Sequence, residues 1–259
     1  FAFSGVYQQD LYIGVAVNTF DLNFKQRSIL SEQNNDGAGT VLNAAFYQEN
    51  NTLGTGFSLS AGLIYKATKK LRLGFSYQTP IWFTKIDEET NIINNDGFFG
   101  DTEIQITGDN TIYDNTAGDY FPTQGFSYKL KTPAKTTASL AYVFGSNGLI
   151  SIDYSYKNYT KMEFSDAGFT SENQFFENDL KNTHAINIGS EWRFNAFSLR
   201  GGYHYEQSSD KNAIESDNDK GYSFGAGYKF GNTKLDFSCQ NSSYTALYDF
   251  YPQYNEVNA

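Results

Sequence analysis

Along most of the chain, apolar side chains alternate with small or polar ones at a period of two. That period belongs to extended strands whose two faces meet different surroundings. Leu11, Ile13, Val15 and Val17 share one face, with Gly14, Ala16 and Asn18 on the other. Phe57, Leu59, Ala61, Leu63 and Tyr65 repeat the pattern. Leu71, Leu73, Phe75 and Tyr77 do so opposite Arg72, Gly74, Ser76 and Gln78. It returns over 138–144, 150–156, 186–194 (interrupted by Ser190), 197–205 and 222–230, then at Leu235 and Phe237. No 3.6-residue period is sustained; residues 40–49 are a weak exception. We read eight clear strands, and further ones at 1–5 and 123–131. The expected fold is all-β and antiparallel.

Two architectures bury such strands: a soluble sandwich, and an up-and-down barrel in a membrane. Disorder is excluded, because 23 Phe, 20 Tyr and 2 Trp make 17% of the chain and disordered chains are poor in aromatics. Gly and Ala recur opposite the large side chains, which suits a curved wall around an interior. Aromatics gather near strand ends, for example Tyr77, Trp82, Tyr142, Phe144, Trp192, Phe194, Tyr228 and Phe230. Such belts mark membrane interfaces. Short links near 66–70, 145–148, 195–196 and 231–233 alternate with long ones near 19–52, 85–121, 161–181 and 207–220. That is the rhythm of a barrel with short turns at one end and long loops at the other. No apolar run is long enough for a spanning helix. The expectation is one transmembrane β-barrel domain over 1–259, incomplete at both ends, with the long links as extracellular loops. Residues 102–107 within the second of them can extend into a hairpin of their own.

The stretches 54–83, with Tyr77-Gln78-Thr79-Pro80, and 128–159, with Lys131-Thr132-Pro133 and Asp153-Tyr154, resemble the FadL/TodX/OmpP1 family. These are outer-membrane transporters of long-chain fatty acids and aromatic hydrocarbons. Phe3-Ser4-Gly5 and Leu11-Tyr12-Ile13-Gly14 are similar to the family's early hairpin. The likeness covers about residues 1–240, and its motifs are structural rather than catalytic. It implies a 14-stranded barrel in the outer membrane of a Gram-negative bacterium. It also implies a periplasmic hatch, entry of hydrophobic molecules from outside, and their sideways release beside a strand kink. The hatch, the early strands and the last strand are expected to be missing from this chain.

The charged residues narrow the function. Nineteen Lys and Arg against 29 Asp and Glu give a net charge of −10, and no basic run exceeds Lys69-Lys70, so nucleic acid is not an expected partner. Cys239 is the single cysteine. With His184 and His204 the only histidines and no nucleophile, metal or nucleotide motif, no enzyme, cofactor or metal centre is expected. On the polar face Arg72, Asp153, Glu191, Arg193, Arg200, His204, Lys229 and Asp236 are candidates to line a lumen, where charges pair and stay hydrated. Glu191, Arg193 and Arg200 are expected to pair across strands, either bracing the interior or meeting a ligand head group. Acidic loop residues such as Asp87, Glu88, Glu89 and Asp96 read as solvated surface, or as sites for ions bridging to lipopolysaccharide. Ile92, Phe98, Phe99, Phe169, Phe175 and Phe176 could form an entrance for greasy ligands or a docking surface. Two functions stand: passive transport of hydrophobic small molecules such as long-chain fatty acids, or a non-transporting barrel subunit of an outer-membrane secretion or assembly complex.

Overall fold

The computed structural model describes residues 1–35, 41–94, 103–105, 112–114, 123–165 and 168–246. Its strands are β1 (Ala2–Tyr7), β2 (Leu11–Asn35), β3 (Val41–Lys66), β4 (Leu71–Gln78), β5 (Trp82–Asn94), β6 (Glu103–Gln105), β7 (Ile112–Asp114), β8 (Thr123–Lys131), β9 (Lys135–Val143), β10 (Gly148–Asn158) and β11 (Glu163–Ser165). A helix, α1 (Thr170–Asp179), precedes β12 (Asn182–Phe194), β13 (Phe197–Glu206), β14 (Asp219–Phe230) and β15 (Thr233–Ser243). All strands but β6 and β7 form one 13-stranded antiparallel sheet curled as a half-barrel. The expected strands at 1–5 and 123–131 are β1 and β8. Three staves of the wall are interrupted. β4 and β5 both pair with β3, and β8 and β9 lie end to end beside them. Beyond these, β10 pairs with β9 and β11 with β8.

Neighbouring strands place opposite residues on the same side of the sheet, so the register assigns every side chain to a face. One row runs Leu11, Tyr65, Leu73, Leu140, Ile152, Ile188, Tyr203 and Tyr222 across eight staves. Its neighbour runs Gly74, Ser139, Asp153, Asn187, His204 and Gly221. The small-residue face is the concave one, where side chains converge. A Cβ on Gly202 would lie 2.8 Å from Ser223 Oγ, and one on Gly221 2.7 Å from His204 Cε1. The convex face stays bare: Phe75 is 48% exposed, Leu199 52% and Phe224 63%. In water each such side chain would forfeit about 1–2 kcal/mol; against acyl chains it forfeits nothing. A soluble sandwich would have covered this face. No helix among the described residues is long and apolar enough to cross a membrane.

The short turns all lie at one end and use left-handed backbone where tight hairpins require it. Gln8, Gln9, Asn195, Gly145 and Gly231 have φ between 48° and 65°. The far end differs from expectation. The expected loop 19–52 is mostly strand, for β2 and β3 pair without a break from Leu11–Tyr65 to Asn35–Val41. At about 3.3 Å per residue this hairpin is roughly 80 Å long, against an apolar band about 25 Å tall. The expected loop 161–181 holds β11 and α1, and 207–220 holds a single 3₁₀ turn at Glu215–Asp217. Within 85–121, β5 continues to Asn94, and β6 pairs with β7 as the expected separate hairpin.

Two local devices hold the far end. On the hairpin arm Glu49 binds Lys25 at 2.5 Å and Arg27 at 2.7 Å. These two cations hold its carboxyl down to about 2. At α1, Asn173 clamps the peptide of Phe164 in β11, taking its N–H at 2.8 Å and donating to its C=O at 2.9 Å. Lys211 Nζ donates to the C-terminal carbonyls of Glu177 and Asn178, where a cation offsets the helix dipole.

Both devices are testable. A carboxyl whose folded pKa is depressed stabilises above its unfolded value, near 4.5, and loses that contribution as pH falls towards about 2. Pepsin should therefore cleave the arm increasingly as pH falls through that window, and Glu49→Gln should be cleaved at every pH; cleavage indifferent to pH would contradict the pairing. Asn173→Ala should cost α1 about 1–2 kcal/mol of local stability, seen as faster amide exchange over 163–180 with the melting of the wall unchanged.

Candidate functional site

Arg72, Asp153, Glu191, Arg193, Arg200, His204, Lys229 and Asp236 all have concave-face parity in the register. On the lipid face a Lys or Arg would cost about 2–4 kcal/mol at mid-membrane, and the wall places none of these there. Glu191 accepts from Arg193 Nε at 2.7 Å and from Arg200 Nε at 2.9 Å. Arg200 Nη1 reaches Asp236 at 2.6 Å, and Lys234 meets the same carboxylate at 3.1 Å. The pairing of Glu191, Arg193 and Arg200 is thus present, extended by Asp236 into a collar near the short-turn end. Lys229 stands opposite Lys234 beside it. Higher up, His204 Nε2 lies 3.3 Å from Ser242 Oγ and 3.6 Å from Asp219. Lys157 binds Glu206 at 2.6 Å. Arg72 and Asp153 face a cleft of about 620 Å³, together with Gly14, Gly62, Ile64 and Ser139. Asp153 also borders a cleft of about 570 Å³ that contains Glu191, Arg200 and His204. At membrane height the inside thus carries charges of both signs set among small residues and a few apolar ones such as Ile64 and Leu149.

Above that height the sidedness inverts. On β2 the convex apolar series stops at Val17 and continues as Thr19, Asp21, Asn23, Lys25 and Arg27, while the concave series becomes Phe20, Leu22 and Phe24. Phe20 and Leu22 face Gly56 and Gly54 of β3. A bulge at Thr84 then sets Phe83 and Ile86 inward on β5, and Ile86 is almost fully buried at 1%. Leu130, Tyr128 and Phe126 follow on β8, and Phe164 on β11. Their rings touch: Tyr128 lies 5.2 Å from Phe164 and 5.5 Å from both Phe126 and Phe169, centroid to centroid. Phe164 lies 5.1 Å from Phe176. Together these side chains give the concave face over the polar lumen an apolar lining, here termed the chamber. Burial, with the adjacent Glu88 carboxylate accepting its O–H at 3.0 Å, pushes the Tyr128 phenol up to about 12.

The wall changes at the same height. Thr79-Pro80-Ile81 separates β4 from β5, and Thr132-Pro133-Ala134 separates β8 from β9. Proline has no N–H for a ladder. The threonines repair two seams. Leu59 N donates to Thr79 Oγ at 3.0 Å, and Thr79 N to Leu59 O at 2.9 Å. Ile81 N donates to Thr132 Oγ at 2.9 Å, and Thr132 N to Ile81 O at 3.0 Å. The third seam is left unladdered. Between the pairs Lys135–Lys157 and Lys131–Glu163 no residues pair, because 159–161 turn as a 3₁₀ helix whose Thr160 N–H is bound by Asn158. This gap sits just above Tyr156, at the outer edge of the convex apolar band.

The residues expected to form a loop entrance or docking surface are placed differently from one another. Phe176 is buried, packed on Phe164, and Phe169 is half-buried beside Tyr128, because α1 folds them inward; Phe175 alone of the three is exposed. Ile92 lies in β5, opposite Gln48. Phe98 and Phe99 lie outside the described residues, as does Asp96. Sequence reading missed Phe20, Leu22, Phe83, Ile86, Tyr128 and Phe164, although the parity switch at Thr19 was visible as a signal. Among the described residues no cluster of His, Cys, Asp and Glu could hold a metal.

Known proteins share this wall. The CymD monoaromatic hydrocarbon channel is 16% identical with a TM-score of 0.62, covering 93% of this chain and 66% of its own. A TodX monoaromatic hydrocarbon channel, the deltaS2S3 mutant, is 16% identical at a TM-score of 0.55, covering 92% of this chain and 62% of its own. The P. putida toluene transporter TodX is 16% identical at a TM-score of 0.50, covering 92% and 61%. At such identities the likeness shows the fold, and this chain spans less than two thirds of their length. No curated protein matches the chain in sequence. The model of a family of Gram-negative outer-membrane β-barrels, which are passive transport proteins and not enzymes, matches residues 7–243, and the chain belongs to that family, outer membrane protein transport protein (OMPP1/FadL/TodX).

Proposed function

We propose that the chain forms the wall of an outer-membrane channel that takes hydrophobic small molecules from outside into the apolar chamber. It then releases them sideways through the gap between 132–134 and 158–162. One observation carries this reading: the inner face turns apolar at the height where that seam loses its ladder. Straight descent is disfavoured, because a hydrocarbon would have to displace hydrated charge at the collar of Glu191, Arg193, Arg200 and Asp236. Sideways movement takes it from one apolar surface to another. Of the two cargoes that the resemblance implies, aromatic hydrocarbons fit the ring-lined chamber better than long-chain fatty acids. The solved relatives described as monoaromatic hydrocarbon channels point the same way. Around the chamber, the convex face with Lys25, Arg27, Lys85 and Lys131 is where lipopolysaccharide would lie.

Two experiments test this. Ala134→Cys and Thr160→Cys in a Cys239→Ser background, joined by a short cleavable bis-maleimide, should stop uptake of a neutral aromatic into proteoliposomes while leaving its binding intact. Cleaving the linker should restore uptake, and uptake indifferent to the linker would contradict the lateral route. Arg193→Met with Arg200→Met should lower wall stability by about 1–2 kcal/mol, as hydrated ion pairs are worth little more, with cargo preference unchanged. A changed preference would move the collar from brace to binding site.

A further inference from the structure

Three neighbouring side chains on β5 differ in where they point. The register sets Asp87 and Glu89 outward and Glu88 inward, directly opposite Phe126. Asp87 is neutralised by Lys85 at 2.8 Å. Glu88 has no Lys or Arg partner among the described residues; it accepts from the Tyr128 phenol, and its floor is the stacked pair of Phe126 and Tyr128. On β5, on β8 and on β2 beyond Val17 the cations all have outward parity, Lys25, Arg27, Lys85, Lys129 and Lys131; the inward Lys66, Arg72 and Lys135 lie below this level, on β3, β4 and β9. Among the described residues, the chamber face carries one carboxylate, Glu88, and no Lys or Arg.

The flanking sequence has the same sign. Residues 86–128 contain nine Asp and Glu and no Lys or Arg; residues 162–180 contain five and none. Acidic loops are ordinary on a surface and alone would carry nothing. Here they flank, in sequence, an inward carboxylate set against the rings of Phe126 and Tyr128.

Resting on the channel reading, we propose that Glu88 is a charge filter: the chamber admits neutral and cationic aromatic compounds and rejects those bearing a carboxylate. An ammonium or hydroxyl head would find the carboxylate and the ring faces of Phe126 and Tyr128, a pairing that suits cations. A carboxylate head would meet a like charge at close range with no cation to bridge them.

Three probes with one phenylbutyl body separate the outcomes: phenylbutanol, phenylbutylamine and phenylbutyrate, titrated at neutral pH into the full chain in detergent. The alcohol and the amine should bind, and phenylbutyrate should bind at least about tenfold more weakly than the alcohol. Glu88→Gln keeps the shape and can still accept from Tyr128; it should bring phenylbutyrate to within about threefold of the alcohol measured on the same variant. Tyr128→Phe leaves the carboxylate in place and should keep the rejection. Equal binding of alcohol and carboxylate by the natural chain, rejection that survives Glu88→Gln, or rejection lost in Tyr128→Phe would overturn the filter. If phenylbutanol itself does not bind, the channel reading fails first. Migration of each variant as a folded barrel in unheated gels confirms that the comparison is between folded proteins.

Discussion

Hydrocarbon offers no partner to a backbone N–H or C=O, so a wall in lipid must pair its strands continuously. The rest of this molecule follows from where that demand holds and where it lapses. Within the apolar band the ladders run unbroken from Leu11–Tyr65 to Val15–Ala61 and from Leu149–Val143 to Lys157–Lys135. At the outer edge of the band water returns, and prolines, a bulge and a 3₁₀ turn all appear within one layer. Two of the three interrupted seams are laced by threonine hydroxyls. The third is not, and it lies beside the aromatic lining of the concave face.

The same boundary governs the side chains. Below it, lipid outside and water inside dictate apolar-out and polar-in, and curvature asks for Gly and Ser where side chains converge. Above it, solvent lies outside, so Lys25, Arg27 and Glu49 turn outward while Phe20, Leu22 and Ile86 gather within. One strand, β2, thus serves two opposite environments without changing its conformation. Only the residues change, outward from Val17 to Thr19 and inward from Asn18 to Phe20.

Much of this was legible in the sequence. Strict alternation over 11–17, 57–65, 71–77 and 150–156 marks the wall, and the parity of Arg72, Asp153, Glu191 and Arg200 placed them on one face. What escaped was the region where a single rule no longer applies. Residues 19–52 looked like a loop because the outward face lost its apolar residues, yet pairing continues to Asn35–Val41. α1 gives little periodic signal because Phe176 is its single buried residue. Glu88 was indistinguishable from Asp87 and Glu89 until the bulge at Thr84 fixed which of the three points inward.

The inversion of sidedness along one strand is the central claim, and environment-sensitive labels on β3 address it directly. Single cysteines at 53, 54, 58, 59, 60, 61 and 63, in a Cys239→Ser background, would carry a fluorophore in bilayers containing quencher-labelled lipid. The account predicts quenching at Leu59→Cys, Ala61→Cys and Leu63→Cys. At Ser58→Cys and Ser60→Cys lipid should not quench. Leu53→Cys should respond to aqueous quencher alone, and Gly54→Cys to neither. Lipid quenching that alternates unchanged through residue 53, or that shows no alternation below residue 63, would contradict it.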